Sequence, residues 1–366
     1  MLFPLMTVLL CFVVVELAMI FLEPLLFRGF YMYDRDLGFR VRPYAEGTNR
    51  FGFNDKDYPL AKPPGTFRIL VVGDSFAWAG GMEGNYTAML ENRFEADYEK
   101  HRIEVINSGY PGTHTAEQLA MLKKFGLQYD PDLVILGFFA ENDFYDANPY
   151  RKRIVLNGTN FDVDRRHQMD LFGIPILARS RLIEFIKQKG RVVTELHRAR
   201  KESGAADAQS PPSFSDKSFL ELEYHRMSMF NRSMHAQGIF QERMVFILSS
   251  IFEMRELLKE RGIPLLVAIY PDEFQVNDDL RKTIFQRYGL NAAEYDMALV
   301  QDFLKGYLDQ QKIAYLDLLE PFQIQGRNQS LYLLRNTHWN EAGNRLAADT
   351  LFEYLTREGY IQEKTG

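Results

Sequence analysis

RILVVGDSFAWAGGM, residues 68–82, is the stretch from which the fold can be read. Its apolar run, Ile69 to Val72, stops abruptly at Gly73-Asp74-Ser75. Four apolar residues without a helical period suit a parallel strand covered on both faces, and the glycines at 73, 80 and 81 permit a sharp exit from it. Ser75 then stands at the carboxyl edge of a sheet, where open α/β folds bind ligands and where a nucleophile belongs. The tripeptide alone carries little, since from average residue usage GDS occurs by chance in roughly one chain in ten of this length. The reading therefore depends on the rest of the chain.

Downstream, the pattern of strand, glycine turn and helix repeats. Tyr86, Met89, Leu90 and Phe94 share a helical face, and a second strand, Arg102 to Ile106, ends in Asn107-Ser108-Gly109. Thr113 to Phe125 reads as a helix, and Pro131-Asp132 opens a third strand, Leu133 to Phe139, which ends in Ala140-Glu141-Asn142-Asp143. After an interruption the alternation resumes with a helix over 241–260, a strand from Pro264 to Tyr270, a helix near 291–308 and a strand from Ile313 to Leu318. The last element is LYLLRNTHW, 331–339, followed by Asn340 as N-cap and a helix from Glu341 to Leu355. Strands alternating with helices at this spacing predict a doubly wound parallel sheet of about five strands with right-handed crossovers.

Upstream, residues 2–27 form an apolar stretch of membrane-spanning length broken only by Glu16 and Glu23, and they predict one transmembrane helix within a 1–30 anchor. Glu16 is expected to face a partner helix or to reach water near one end. Residues 31–67, rich in Tyr, Pro, Gly and Asp, read as an irregular connector whose aromatics pack on the domain that follows. That domain extends over 68–360, with 144–240 as a cap-like helical insertion in which 203–216, SGAADAQSPPSFSD, is a mobile loop. The basic stretch from Ser180 to Lys201 reads as a solvated helical face.

Composition excludes several classes. A net charge of −6 without a Lys/Arg-rich run leaves no electrostatic footprint for nucleic acid. The single cysteine, Cys11, lies in the apolar segment, so neither a disulfide framework nor a cysteine zinc site is available. Seven scattered histidines, with no H-x-x-x-H pair and no carboxylate cluster at ligand spacing, give no expectation of a metal, and no cofactor is expected.

The strand ends and the final loop carry Ser75, Gly109, Asn142 and His338 in chain order, a set much rarer than GDS. Singly, each has a plain structural use as a cap, a turn residue or a surface histidine. Together they supply the parts of acyl transfer. Ser75 would attack a carbonyl, and His338 would take the hydroxyl proton and return it to the leaving group. The N–H groups of Ser75 and Gly109 and the Asn142 amide would receive the oxyanion. His114, the other histidine near a strand end, is expected to cap its helix or touch substrate.

On GDS at 73–75, NSG at 107–109, END at 141–143 and THWNEAG at 337–343, the chain resembles the SGNH (GDSL-type) hydrolases. The resemblance covers roughly 68–143 and 241–358. It implies a three-layer flavodoxin-like fold and serine esterase or acyl-transfer chemistry. With the apolar segment and the HWNxxG ending it also implies a bacterial membrane protein acting outside the cytoplasm on an acylated cell-envelope glycan or a small ester, alone or with a membrane acyltransferase. Two departures stand out. The aspartate such enzymes carry two or three residues before the histidine is replaced by Asn336 and Arg335, which leaves Asn336, Asp74, Asp317 or a backbone carbonyl to orient the imidazole. Glu141 replaces a glycine beside Asn142 and would disfavour anionic substrates. The absent carboxylate also leaves open a non-catalytic reading, as a glycan-binding or accessory protein of an acyltransferase that keeps this fold.

Overall fold

The structure is a computed structural model. It describes residues 2–26, 29–98, 102–139, 143–144, 147–156, 159–164, 169–171, 174–176, 180–187, 189 and 212–361. The chain divides into two compact units, one of Met1–Glu46 with Tyr150–Pro211 and one of Gly47–Pro149 with Pro212–Gly366.

The second unit holds a five-stranded sheet built from β1 (Thr66–Val72), β2 (Arg102–Asn107), β3 (Leu133–Phe139), β4 (Leu265–Tyr270) and β5 (Ala314–Asp317). Its order is β5-β4-β3-β1-β2 and every pairing is parallel, with Val71 opposite Asn107, Val72 opposite Leu136 and Tyr270 opposite Phe139. These are the five strands expected from the alternation. The chain runs from β1 outward to β2, then crosses back to β3 on the other side of β1. The order therefore reverses between β1 and β3, which is where open α/β sheets bind their ligands.

Side chains alternate across this sheet. Ile69 and Val71 of β1 join Tyr86, Leu90 and Phe94 of the helix Tyr86–Asp97 and Ala347, Leu351 and Leu355 of the helix Glu341–Arg357 in one core. Leu70 points the other way, toward Leu122 in the helix Thr115–Lys124, which packs on the helix Gly238–Lys259. Helices thus cover both faces, and the Ile69–Val72 run of β1 and the whole of β3 can be apolar. Residues 47–67 are tied to this unit. Phe53 is buried against Tyr110, Tyr58 donates to the Glu91 carboxylate, and the buried Arg68 guanidinium donates to the carbonyls of Pro59, Leu60 and Tyr129 while pairing with Glu104.

The first unit contains the helix Leu2–Leu26 and three antiparallel hairpins, Tyr31–Asp34 with Gly38–Val41, Arg151–Leu156 with Thr159–Asp164, and Met169–Leu171 with Ile174–Ile176. Gly38 is required there, because its φ is +83° and a Cβ would lie 2.0 Å from the Arg153 carbonyl oxygen. Glu16 accepts from the Ser180 hydroxyl and from the N–H groups of Arg181 (2.9 Å) and Leu182 (3.0 Å), at the start of a helical segment over 181–187. Its carboxylate therefore accepts the N–H donors at the start of that segment.

Two expectations change. The predicted transmembrane helix is not shown: among the described residues, no helix is long and apolar enough to cross a membrane. The stretch expected as one insertion, 144–240, is divided, with 150–211 grouping with 1–46 and 212–240 grouping with the sheet. Part of the predicted mobile loop, 203–211, lies outside the described residues.

Candidate active site

Ser75 opens a four-residue helix, Ser75–Trp78, immediately after β1. Asp74 is fully buried and caps that helix, its Oδ1 accepting the Phe76 N–H at 2.9 Å. The turn is pressed against Gly109, where a Cβ would lie 2.5 Å from Ala77 Cβ and 3.0 Å from the Asp74 carbonyl oxygen. Only glycine permits that approach, so Gly109 has a packing reason to be glycine.

His338 comes from the other end of the chain to meet Ser75, and its Nε2 lies 2.8 Å from Ser75 Oγ. The loop that carries it is braced at several points. Leu333 N–H donates to the His338 carbonyl and Asn340 N–H to the Leu331 carbonyl, closing the chain on either side of the Tyr332–Trp339 bridge. Trp339 is buried among Phe76, Tyr270 and Phe322, each ring 4.9 Å away, and Tyr86. Asn340 accepts Gly343 N–H as N-cap, and Gly343 lets the helix approach, since a Cβ there would lie 2.3 Å from the Leu331 carbonyl oxygen. The buried Asn344 accepts Tyr86 N–H and donates to the Trp339 and Asn340 carbonyls. Asn344 thereby couples the histidine loop to the helix that follows the serine.

His338 Nδ1 lies 2.9 Å from the Asn336 carbonyl oxygen and 2.8 Å from Asn336 Oδ1. A backbone carbonyl can only accept, so Nδ1 carries the proton and Nε2 presents its lone pair to the serine. Asn336 thus occupies the orienting place. Asp74 has its capping bond, and Asp317 accepts Leu319 N–H and pairs with Lys305. His338 N–H donates back to the Asn336 carbonyl at 2.7 Å across Thr337, whose φ is +61°, and Arg335 has φ +49°. Two non-glycine residues in the left-handed region around one asparagine are a local strain that the surrounding bonds must hold in place. Burial pushes the His338 imidazole down to about 4, opposed by its hydrogen bond to the Asn336 carbonyl and reinforced by the positive charge of Arg226.

Sequence reading missed Arg226 and its partners. Arg226 ends the helix Asp216–Met227, lies over the Phe139 ring and pairs with Glu223 and Asp272. Burial raises both carboxyls, Glu223 well above its usual range, and their adjacency favours one shared proton between them. No sequence motif announces this cluster, because it joins a helix outside the strand–helix rhythm to the end of β4.

The oxyanion side is less complete. As first residue of its helix, Ser75 has no intrahelical acceptor for its N–H. Gly109 N–H donates to Asn107 Oδ1 at 2.9 Å, so that donor is engaged. Asn107 is itself fixed by its side chain donating to the Ala77 carbonyl and its N–H donating to Asp55 Oδ2. Asn142 and Glu141 lie outside the described residues. Their neighbour Asp143 is buried, accepts Thr115 N–H and hydroxyl and Phe139 N–H, and so closes the end of β3 onto the start of the preceding helix, Thr115–Lys124. His114 is the N-cap of that helix, its N–H donating to the Glu117 carboxylate, which is the first of its two expected uses. Among the described residues no group of three or more His, Cys, Asp or Glu could hold a metal ion.

Residues 235–365 match the family model described as "SGNH hydrolase-like domain, acetyltransferase AlgX". No curated protein matches the chain. Among solved structures, an acetyl xylan esterase matches at 14% identity and TM-score 0.42, covering 79% of this chain and 100% of its own. A lipase/acylhydrolase from Enterococcus faecalis matches at 14% identity and TM-score 0.40, covering 82% and 100%. A catalytic mutant of an acetylxylan esterase from Geobacillus stearothermophilus matches at 12% and 0.41, covering 81% and 97%. The carboxyl-terminal part of the chain, from just before β4 through the His338 loop to the last helix, is thus similar to the SGNH hydrolase-like domain of an acetyltransferase.

Proposed function

We propose that this chain is a serine esterase or O-acyltransferase that acts through an acyl-enzyme on ester groups of a cell-envelope glycan. The observation that carries the reading is the Ser75–His338 hydrogen bond, with the other imidazole nitrogen held by acceptors. As Ser75 Oγ attacks the ester carbonyl carbon, its proton passes to His338 Nε2. The tetrahedral oxyanion is received by the Ser75 N–H, by the Asn142 amide and by Gly109 N–H once it is shared with Asn107. Collapse breaks the bond to the leaving alkoxide, which takes the proton from Nε2 and leaves the acyl group on Ser75. Water arriving second gives hydrolysis; a sugar hydroxyl gives transfer. The imidazolium is stabilised by two neutral oxygens instead of a carboxylate. In the well-studied triad an amide at this place costs about four orders of magnitude through the wrong tautomer. Here the backbone and side-chain oxygens of Asn336 together favour the right tautomer, and only the charge is missing.

Acyl transfer accords with the acetyltransferase named in the matching family model. An envelope substrate would put the reaction outside the cytoplasm, beside an acyltransferase able to supply or accept the acyl group. An alkaline phosphatase fused after residue 366 is expected to be active in a bacterial host; an inactive fusion overturns this placement.

Chemistry is tested with p-nitrophenyl acetate and a serine-directed fluorophosphonate. Turnover and labelling are expected in the wild type, and both should vanish in Ser75→Ala. His338→Ala should lose turnover by at least about a hundredfold. An unlabelled, inactive wild type would instead favour a protein that binds glycan without reacting.

A further inference from the structure

An asparagine in place of a triad carboxylate has two unlike ends. Its oxygen can receive His338 Nδ1–H, whereas its NH2 would oppose it. Asn336 presents the oxygen, and its Nδ2 donates to Ser213 Oγ at 2.6 Å. The same segment braces the strained turn, because Phe214 N–H donates to the Arg335 carbonyl at 3.2 Å. Ser213 is itself held in place, since Ser215 two residues on is the N-cap of the helix Asp216–Met227 and accepts Ser218 N–H at 3.1 Å. These partners lie 123 positions apart in the chain, and no catalytic motif includes Ser213.

We propose that Ser213 is a positioning residue of this site, whose hydroxyl accepts the Asn336 NH2 and so keeps the Asn336 oxygen on His338 Nδ1. The proposal rests on the acyl-transfer reading for its kinetic consequence and on hydrogen-bond geometry alone for its structural one. Water can replace the acceptor that Ser213 provides, but not its fixed position. Without it the Asn336 amide turns more freely, and His338 loses one of its two Nδ1 acceptors for part of the time. The imidazole then has a lower preference for the tautomer with a free Nε2. A carboxylate at 336 needs no such orientation, because it offers an oxygen whichever way it turns.

The test uses the full-length chain with Ser213→Ala, Ser213→Thr, Asn336→Asp and the Ser213→Ala/Asn336→Asp pair. Nitrogen NMR of the imidazoles, with His338→Ala for assignment, is expected to show His338 protonated at Nδ1 in the wild type. A population protonated at Nε2 should appear in Ser213→Ala and be absent in Ser213→Thr. Turnover of p-nitrophenyl acetate should fall about tenfold in kcat for Ser213→Ala with KM nearly unchanged, the worth of one neutral hydrogen bond. In the Asn336→Asp background the same change should cost less than about twofold. An unchanged tautomer in Ser213→Ala overturns the proposal, as does an equal loss of turnover in both backgrounds, which would mark Ser213 as a structural brace only. If the wild type has no turnover, the acyl-transfer reading fails and the tautomer measurement still decides the role of Ser213.

Discussion

At the scale of single residues, His338 sets the pH behaviour. Its imidazole is the base only when neutral, and burial holds its pKa at about 4. The fraction of competent enzyme therefore falls only as pH drops through about 4, instead of near the ordinary histidine value. The pH profile of kcat/KM is expected to stay level from neutrality down to that point. Arg226→Gln removes a positive charge that disfavours imidazolium, so the acid limb should move to higher pH. Asn336→Asp should move it the same way, and it should also raise kcat by about tenfold or more, since a charged acceptor is about twice as strong as a neutral one. A pH–rate series on the three proteins checks both. An acid limb left at about 4 in Asn336→Asp would mean that the new carboxylate does not reach Nδ1.

At the scale of elements, the site depends on two close approaches and one buried coupling. Gly343 lets the last helix pass under the histidine loop, and an alanine there puts Cβ against the Leu331 backbone oxygen. Backbone cannot yield as a flexible side chain does, so Gly343→Ala is expected to cost about 1–3 kcal/mol, read as a lower urea midpoint, and to displace His338. Gly109→Ala meets Ala77 in the same way, and it should reduce turnover more than stability because the displaced element carries Ser75. Asn344→Ala leaves the buried Tyr86 N–H unsatisfied and should destabilise by about 1–3 kcal/mol. Gly109 was legible in the sequence as a turn glycine, and Gly343 as part of THWNEAG at the start of the last helix. What they serve was not, because the neighbour each must avoid comes from a different element.

At the scale of the whole molecule, buried carboxyls set the pH dependence of stability. Burial raises Asp55 to about 8 and Glu273 to about 7, so between their ordinary values and these the native state holds more protons than the unfolded chain. Their contribution is full at low pH and is lost as pH rises through the raised values. The depressed His338 acts in the opposite sense, but only between about 4 and its ordinary 6.5. Above pH 6.5 the carboxyls act alone, and Tm is expected to decline from pH 6.5 to 8.5. Asp55→Asn should make that decline shallower whatever it does to Tm itself. A Tm that is level or rising over that range would contradict the raised values.

The sequence by itself determined the strands and their parallel sense, because each follows from local composition: apolar runs ended by glycine turns, and caps at fixed offsets; it also named Ser75 and His338 as a candidate pair, whose contact only the tertiary structure shows. The β5-β4-β3-β1-β2 order and the reversal between β1 and β3 came only with the tertiary structure. So did the choice of Asn336 over Asp74 and Asp317 as the group on His338 Nδ1, since the two aspartates are engaged in caps and ion pairs that spacing does not reveal. Ser213, Arg226 and the Glu223–Asp272 pair had no sequence signal at all. They lie in or beside a stretch where the strand–helix rhythm lapses, and they reach the site through long-range packing. Local periodicity records what a residue does for its own element. What it does for a side chain more than a hundred positions away depends on how the elements close on one another.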